Sequence, residues 1–209
     1  MKNVPIALQL YSVRGDCAKN FDKTLEAVAA MGFEGVEFAG VYNRSAKELA
    51  KMLADNGLKC AGTHTMISEL TGDKLEATLE FHKTIGCEYA IVPGGLPSEF
   101  RGSLDAWKKA ADAFNGILEQ TSKHSIKPGY HNHTEDFTLL DGTYPWDVVF
   151  SNTLPGVVMQ LDVGNAMAAG VDAIPYFERY KGRAEKVHIK QCTEDPACAV
   201  IGEDMLDWE

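Results

Sequence analysis

The chain has 209 residues, 45% of them hydrophobic, enough for one sizeable core and a single domain over residues 1–209. Acidic residues outnumber basic ones 30 to 20, and the formal net charge is −10. A polyphosphate backbone attracts the opposite sign, so the balance argues against nucleic acid as a partner, and no apolar run approaches the ~20 residues needed to cross a bilayer.

The predicted elements alternate. Residues 6–10 form a first strand, and residues 21–31 a helix with Leu25, Val28 and Ala29 on one face, ended by Gly32. Residues 35–38 form a second strand. Ser45 is an N-cap with Glu48 as its capping-box partner, opening a helix over 46–55 that stops at Asn56-Gly57. A third strand spans 58–62, a helix 73–85 closes at Gly86, and a fourth strand covers 89–93 before Gly94-Gly95. The helix over 103–122 holds a 3.6-residue period through Trp107, Ala110, Ala111, Phe114, Ile117 and Leu118. A fifth strand spans 127–130, a helix 146–151, a sixth strand 157–161, a helix 174–180 and a seventh strand 186–189. The segment from Gly202 to Trp208 reads as the start of a further helix.

Strands separated by helices imply right-handed parallel units, and the architecture that fits is the (β/α)8 TIM barrel. The count is one unit short, so the expected fold lacks the eighth βα unit at its C-terminus. Its open strand edge favours pairing with a second copy, a homodimer. The start of the chain does not resemble an export signal. The cysteines, Cys17, Cys60, Cys87, Cys192 and Cys198, are odd in number and include no CxxC pair, which fits reduced thiols in a cytoplasm. Cys192 and Cys198 share one segment, but a zinc site needs four convergent ligands.

Three polar clusters each close an apolar run: Gly129-Tyr130-His131-Asn132-His133, Gln160-Leu161-Asp162-Val163-Gly164-Asn165 and Val187-His188-Ile189-Lys190. In a barrel of this kind functional groups collect at the C-terminal ends of the strands. A lone histidine beside an apolar strand is usually a hydrogen-bonded structural residue. His131, Asp162 and His188 on successive strand ends instead point to a divalent metal. Imidazole and carboxylate together suit Mn, Co, Zn or Fe, with Mg less at ease with imidazole. His131 and His133 are two apart, which on a strand puts them on one face with Asn132 on the other. Lys190 shares a face with His188 by the same period and would hold an oxyanion or a substrate oxygen. His64, just past the third strand, reads either as a ligand for a substrate hydroxyl or as a loop histidine. Glu37 reads either as a substrate hydrogen-bonding group or as the partner of a nearby Arg or Lys. Trp107 and Trp146 belong to packing. The chain carries no Gly-x-Ser-x-Gly elbow, no Walker-type loop and no dinucleotide fingerprint.

At these clusters, and at Leu8-Gln9-Leu10-Tyr11-Ser12-Val13-Arg14, Gly32-Phe33-Glu34-Gly35-Val36-Glu37 and Gly202-Glu203-Asp204, the chain resembles the xylose isomerase-like barrel superfamily, specifically its sugar phosphate isomerase/epimerase branch. The resemblance implies a divalent metal held at the ends of strands five to eight by Glu, Asp, His and Glu. By position the second ligand falls on Asp162 and the third on His188. The first falls on His131, a histidine here, and the fourth would lie beyond Glu209. Asn165 matches a substrate-contacting position, and Lys190 matches a frequent His-x-Lys, with Gln191 where an Asp usually follows. The implied activity is a metal-dependent isomerase or epimerase of a sugar or polyol derivative. It would abstract a proton alpha to a carbonyl, with His131 or His133 as the base and Asp136 near the mouth as a further candidate. The rival readings are an inosose-type dehydratase, a non-catalytic metal- or sugar-binding remnant, and an abasic-site endonuclease, against which the acidic balance argues.

Overall fold

The computed structural model describes residues 4–193, 200–206 and 208. Cys198, and Asp207 within the predicted C-terminal helix, fall outside them. The chain divides into two compact units, residues 1–91 with 121–127, and residues 92–120 with 128–209.

The first unit opens with strand β1 (Ala7–Gln9). The Gln9 side chain accepts from the Tyr11 amide and turns the chain into a 3-10 turn over Leu10–Val13. Helix α1 (Arg14–Lys19) follows, then α2 (Phe21–Ala30), whose first turn is capped by the Asn20 side chain accepting from Lys23 N. Gly32 leaves α2 with φ of +91°, a conformation that costs a residue with a Cβ and not glycine. Strand β2 (Gly35–Phe38) is buried throughout. Helix α3 (Ala46–Asp55) starts from the Ser45/Glu48 capping box expected from the sequence. Strand β3 (Lys59–His64), helix α4 (Leu75–Ile85) and strand β4 (Tyr89–Val92) complete the unit. The strands are parallel and follow chain order, with Gln9 beside Glu37 and Thr63 beside Ala90. Between β2 and β3 the register slips after Val36, so Glu37 lies opposite Gly62. Leu10, Leu25, Val36, Phe38 and Leu49 fill the core beneath them.

The second unit is laid out the same way. Helix α5 (Leu104–Thr121) precedes strand β5 (Lys127–His131); helix α6 (Pro145–Asn152) has its proline in the first turn, where a missing N–H costs nothing. Strand β6 (Val158–Asp162) runs straight into helix α7 (Val163–Ala168), followed by α8 (Ile174–Arg179) and strand β7 (Lys186–His188). The pairing is again parallel and in chain order, His131 beside Gln160 and Asp162 beside His188. Trp107 and Trp146 pack against Tyr130, with ring centroids 6.4 and 5.9 Å away, as their place in helical patterns predicts. Arg183 is buried, and its guanidinium donates to the carbonyls of Phe150, Thr153, Leu154 and Val157, closing the end of α6 and the turn after it.

Seven parallel strands interleaved with helices are the pattern of a (β/α) barrel, and the described residues contain no eighth strand. No helix among them is long and apolar enough to cross a membrane. Several boundaries differ from the sequence expectation for physical reasons. Helices α1 and α7 fall where none is predicted. Strand β3 extends to His64, so that histidine ends the strand instead of following it. Strand β5 stops at His131, and a 3-10 turn over Thr134–Phe137 begins at once, so alternation does not relate His131 to His133. Strand β7 stops at His188, so period two does not place Lys190 either. Residues 201–206 form turns and bends in place of the expected helix.

Candidate functional site

The first unit gathers Gln9, Glu37 and His64 from the ends of β1, β2 and β3. Glu37 is 5% exposed, so its carboxylate needs donors, and it finds them on its neighbours. Gln9 Nε2 donates to Glu37 Oε1, and His64 Nε2 lies 3.0 Å from the same oxygen. Among the described residues, Glu37 is thus met by an imidazole and an amide. A Cβ at Gly62 would stand 2.8 Å from Glu37 Oε2, so this glycine makes room for the carboxylate. Gln9 belongs to this cluster although the sequence reading did not single it out; its signal is the position, the last residue of a strand. Behind the cluster, buried His82 on α4 accepts from or donates to Thr63 Oγ1 at 2.7 Å, and Thr63 Oγ1 lies 2.7 Å from Thr65 Oγ1. Burial lowers the His82 pKa, and the Thr78 carbonyl 2.8 Å from Nδ1 partly offsets that.

The second unit brings together His131, Asp162 and His188 at the ends of β5, β6 and β7. The His131 and His188 rings are 4.6 Å apart between centroids. His188 Nδ1 lies 3.6 Å from Asp162 Oδ2. The other carboxylate oxygen, Oδ1, accepts from Asn165 N at 2.7 Å and caps α7. Two imidazoles and one carboxylate are a donor set for Zn, Co, Mn or Fe. Two ligands with bonds of about 2.1 Å at a tetrahedral angle sit roughly 3.4 Å apart, close to the Asp162–His188 spacing. Asp162 and His188 therefore stand at the spacing of two ligands of one divalent cation, with the His131 ring beside that of His188.

His133 stands edge-on to His131, 5.0 Å between centroids, and is exposed. Its ring rests against Gly94, where a Cβ would come 2.7 Å from Nδ1. Asp136, a candidate base near the mouth on sequence grounds, is wholly buried. Its Oδ1 accepts from the Tyr130 hydroxyl and its Oδ2 from His133 N, both at 2.7 Å. Burial raises its pKa to about 7 against these two hydrogen bonds, which lower it. Through these two bonds it ties the Tyr130 hydroxyl to the His133 backbone. Asn165, 8% exposed, gives its Nδ2 to the Asn132 carbonyl and receives Lys190 Nζ on Oδ1 at 2.6 Å. Lys190 itself is exposed, and its ammonium carries three N–H donors. Asn132, read from sequence only as facing away from the histidines, turns out to be fully buried and bonded to the Asp162 backbone.

Parallel βα units with polar side chains at the carboxyl ends of the strands are the pattern of a (β/α) barrel, whose active sites sit at that face. The chain belongs to the xylose isomerase-like TIM barrel family, whose model matches residues 25–209. It is 24% identical over 208 residues to an inosose dehydratase of Geobacillus kaustophilus (strain HTA426), covering 90% of this chain and 67% of that protein. It is 24% identical over 194 residues to the inosose dehydratase of Clostridium tetani (strain Massachusetts / E88), covering 84% and 64%. The chain thus spans about two thirds of the length of these curated relatives. Among solved structures, a sugar phosphate isomerase/epimerase from Parabacteroides distasonis ATCC 8503 superposes with a TM-score of 0.80 at 26% identity, covering 99% of this chain and 80% of the other. The IOLI protein, whose structure holds a zinc atom, superposes with a TM-score of 0.65 at 15% identity over 98% of this chain and 77% of its own, a likeness of fold.

Proposed function

We propose that this chain belongs to an enzyme that isomerises or epimerises a sugar or polyol derivative by moving a proton next to a carbonyl, with a divalent metal in place. The observation that supports the reading is the place of His131, Asp162 and His188 at three consecutive strand ends, with His188 beside both His131 and Asp162. These three residues would hold the cation. A bound divalent cation acts as a Lewis acid on a substrate carbonyl oxygen. His131 sits among the ligands, so the base is His133, exposed and fixed through its backbone by Asp136. His133 takes the proton from the carbon beside the carbonyl and returns it at the end of the reaction. Lys190 faces a developing oxyanion, and the first unit, taken by itself, offers Glu37 and His64 as hydrogen-bonding groups for hydroxyls. Asn165, both of its amide atoms engaged within the protein, serves position more than substrate contact.

The relatives named inosose dehydratase favour a second reading. The same proton abstraction would then be followed by loss of a β-hydroxyl as water. We place the enzyme in the cytoplasm, acting on a small molecule and not on nucleic acid or a membrane, with a second copy as its partner.

The test is elemental analysis of the purified protein beside His131→Ala, Asp162→Ala and His188→Ala, then incubation with ketoses and keto-inositols in deuterated water. About one metal per chain, lost in each variant, with deuterium appearing in recovered substrate, supports the isomerase. A dehydrated product supports the dehydratase. No metal after loading with manganese, cobalt or zinc, and no exchange, removes the reading.

A further inference from the structure

Asp162 is held from both sides by groups that the metal reading does not use. Strand β5 ends at His131, whose ladder partner is Gln160. Beyond that point the Asn132 side chain continues the pairing in place of a peptide group. Its Oδ1 accepts from Asp162 N at 2.7 Å and its Nδ2 donates to Asp162 O at 3.0 Å. The amide orientation is fixed by this pair, because the reverse would set donor against donor and acceptor against acceptor. Asn132 is 0% exposed, so neither bond competes with water.

The clamp continues outward. The Asn132 carbonyl accepts from Asn165 Nδ2 at 2.9 Å, and Asn165 Oδ1 accepts from Lys190 Nζ at 2.6 Å. Asn165 N in turn donates to Asp162 Oδ1 at 2.7 Å. The backbone of Asp162 is thereby tied by Asn132, and one carboxylate oxygen by Asn165. The second oxygen, Oδ2, is left directed at His188. The chemistry of the arrangement is a division of labour within one carboxylate, one oxygen anchoring and the other presented.

We infer that Asn132, braced by Asn165 and Lys190, is the positioning residue that presents Asp162 Oδ2 for metal binding. This rests on the metal reading of His131, Asp162 and His188. Partners behind a ligand set its orientation, and their loss lowers metal affinity by about 10–100-fold.

The experiment is a titration of the metal-free protein with cobalt(II), followed by its visible absorption and by competition with a chelator, at a temperature where circular dichroism shows each variant folded. Asn132→Ala is expected to weaken cobalt binding by about 10–100-fold and to shift the absorption band, since the carboxylate no longer meets the ion at a fixed angle. Lys190→Met, at an exposed position that folding tolerates, is expected to weaken binding several-fold and decides the matter if Asn132→Ala does not fold. Cobalt affinity and spectrum unchanged in a folded Asn132→Ala, or in Lys190→Met where that variant decides, while Asp162→Ala and His188→Ala lose the metal, overturns the inference and leaves the metal reading standing. Full binding by Asp162→Ala and His188→Ala removes the metal reading itself, and this inference with it.

Discussion

The strand ends of the first unit and those of the second both set a carboxylate beside an imidazole and differ in what holds them. In the first, Gln9 and His64 both meet Glu37 Oε1, so three strands are tied by their functional side chains directly. In the second, Asp162 is tied through its backbone and one oxygen by Asn132 and Asn165, residues that stand behind it. The first arrangement satisfies its own carboxylate and is suited to exchanging hydrogen bonds with a neutral hydroxyl. The second leaves Asp162 Oδ2 and His188 Nδ1 3.6 Å apart, the spacing of groups that share an ion. A carboxylate is committed to one chemistry or the other by where its donors sit, not by its residue type.

The largest effect that separates the two regions is in metal binding. Asp162→Ala and His188→Ala remove donor atoms and are expected to cost more than about 100-fold in zinc or cobalt affinity, beyond the range for an outer partner. Glu37→Gln keeps shape and a single acceptor oxygen. It is expected to retain one metal at saturation and to raise KM for the sugar by about three- to tenfold, the worth of one hydrogen bond to a neutral group. Elemental analysis and steady-state kinetics on the same preparations read both. Loss of metal in Glu37→Gln, or its retention in Asp162→Ala, breaks the comparison.

The next effect is in stability against pH, and the two regions are expected to respond with opposite sign. Asp136 steadies the His133 loop, and burial raises its pKa from 3.8 to about 7. The native state therefore binds a proton that the unfolded chain has released. The contribution is complete below the unfolded value and is lost as pH rises through about 7. His82, behind the His64 strand end, has its pKa lowered by burial. It contributes above the unfolded value, about 6.5, and is lost as pH falls below it. Asp136→Asn mimics the protonated acid, so it is expected to flatten the alkaline fall in Tm between about pH 5 and 8. His82→Gln is expected to flatten the acid side while lowering Tm throughout. Thermal melts at five pH values suffice, and an alkaline limb unchanged in Asp136→Asn contradicts the assignment.

Much of this was legible in the sequence because it rests on local rules. The Ser45/Glu48 capping box, the Gly32 and Gly86 helix ends and the packing role of Trp107 and Trp146 all follow from spacing alone. So does the place of His131, Asp162 and His188 as the last residues of β5, β6 and β7, since each closes an apolar run. What escaped was decided where a strand gives way to something else. Asp162 acts at once as strand end and helix cap, and Gly164, the second residue of α7, weakens the helical signal. Alternation was extended past His131 and His188, where the strands had already stopped. Asn132 carries no sequence signal for its role, because its partner is the backbone of a residue thirty positions away.

A smaller effect probes the two regions through their glycines. A Cβ at Gly164 would lie 2.5 Å from the Lys190 carbonyl oxygen and 2.8 Å from that of Gln191. Both are backbone atoms and cannot rotate away. Gly164→Ala is expected to cost about 1–3 kcal/mol, the range for overpacking a close contact. For a chain of this length that is a Tm lower by about 2–4 °C per kcal/mol. Cobalt affinity should fall as well, because the displaced segment carries Lys190. A variant that melts with the parent would show that the 190–191 backbone is free to move, and the brace on Asn165 with it.

The smallest effect is expected at Gly62. There a Cβ meets Glu37 Oε2 at 2.8 Å, the far end of a side chain with rotamers to spare. Gly62→Ala should therefore cost less than about 1 kcal/mol in stability. The carboxylate must nevertheless leave the position in which Gln9 and His64 meet it. The expected signature is a near-parental melt with the raised KM of Glu37→Gln. Taken with Gly164→Ala, the pair asks whether each region is held through its side chains or through its backbone. A large loss of stability at Gly62 would mean that Glu37 is as rigidly fixed as the backbone beside Gly164. The self-bonded cluster would then be a strut of the fold and not a hydrogen-bonding surface.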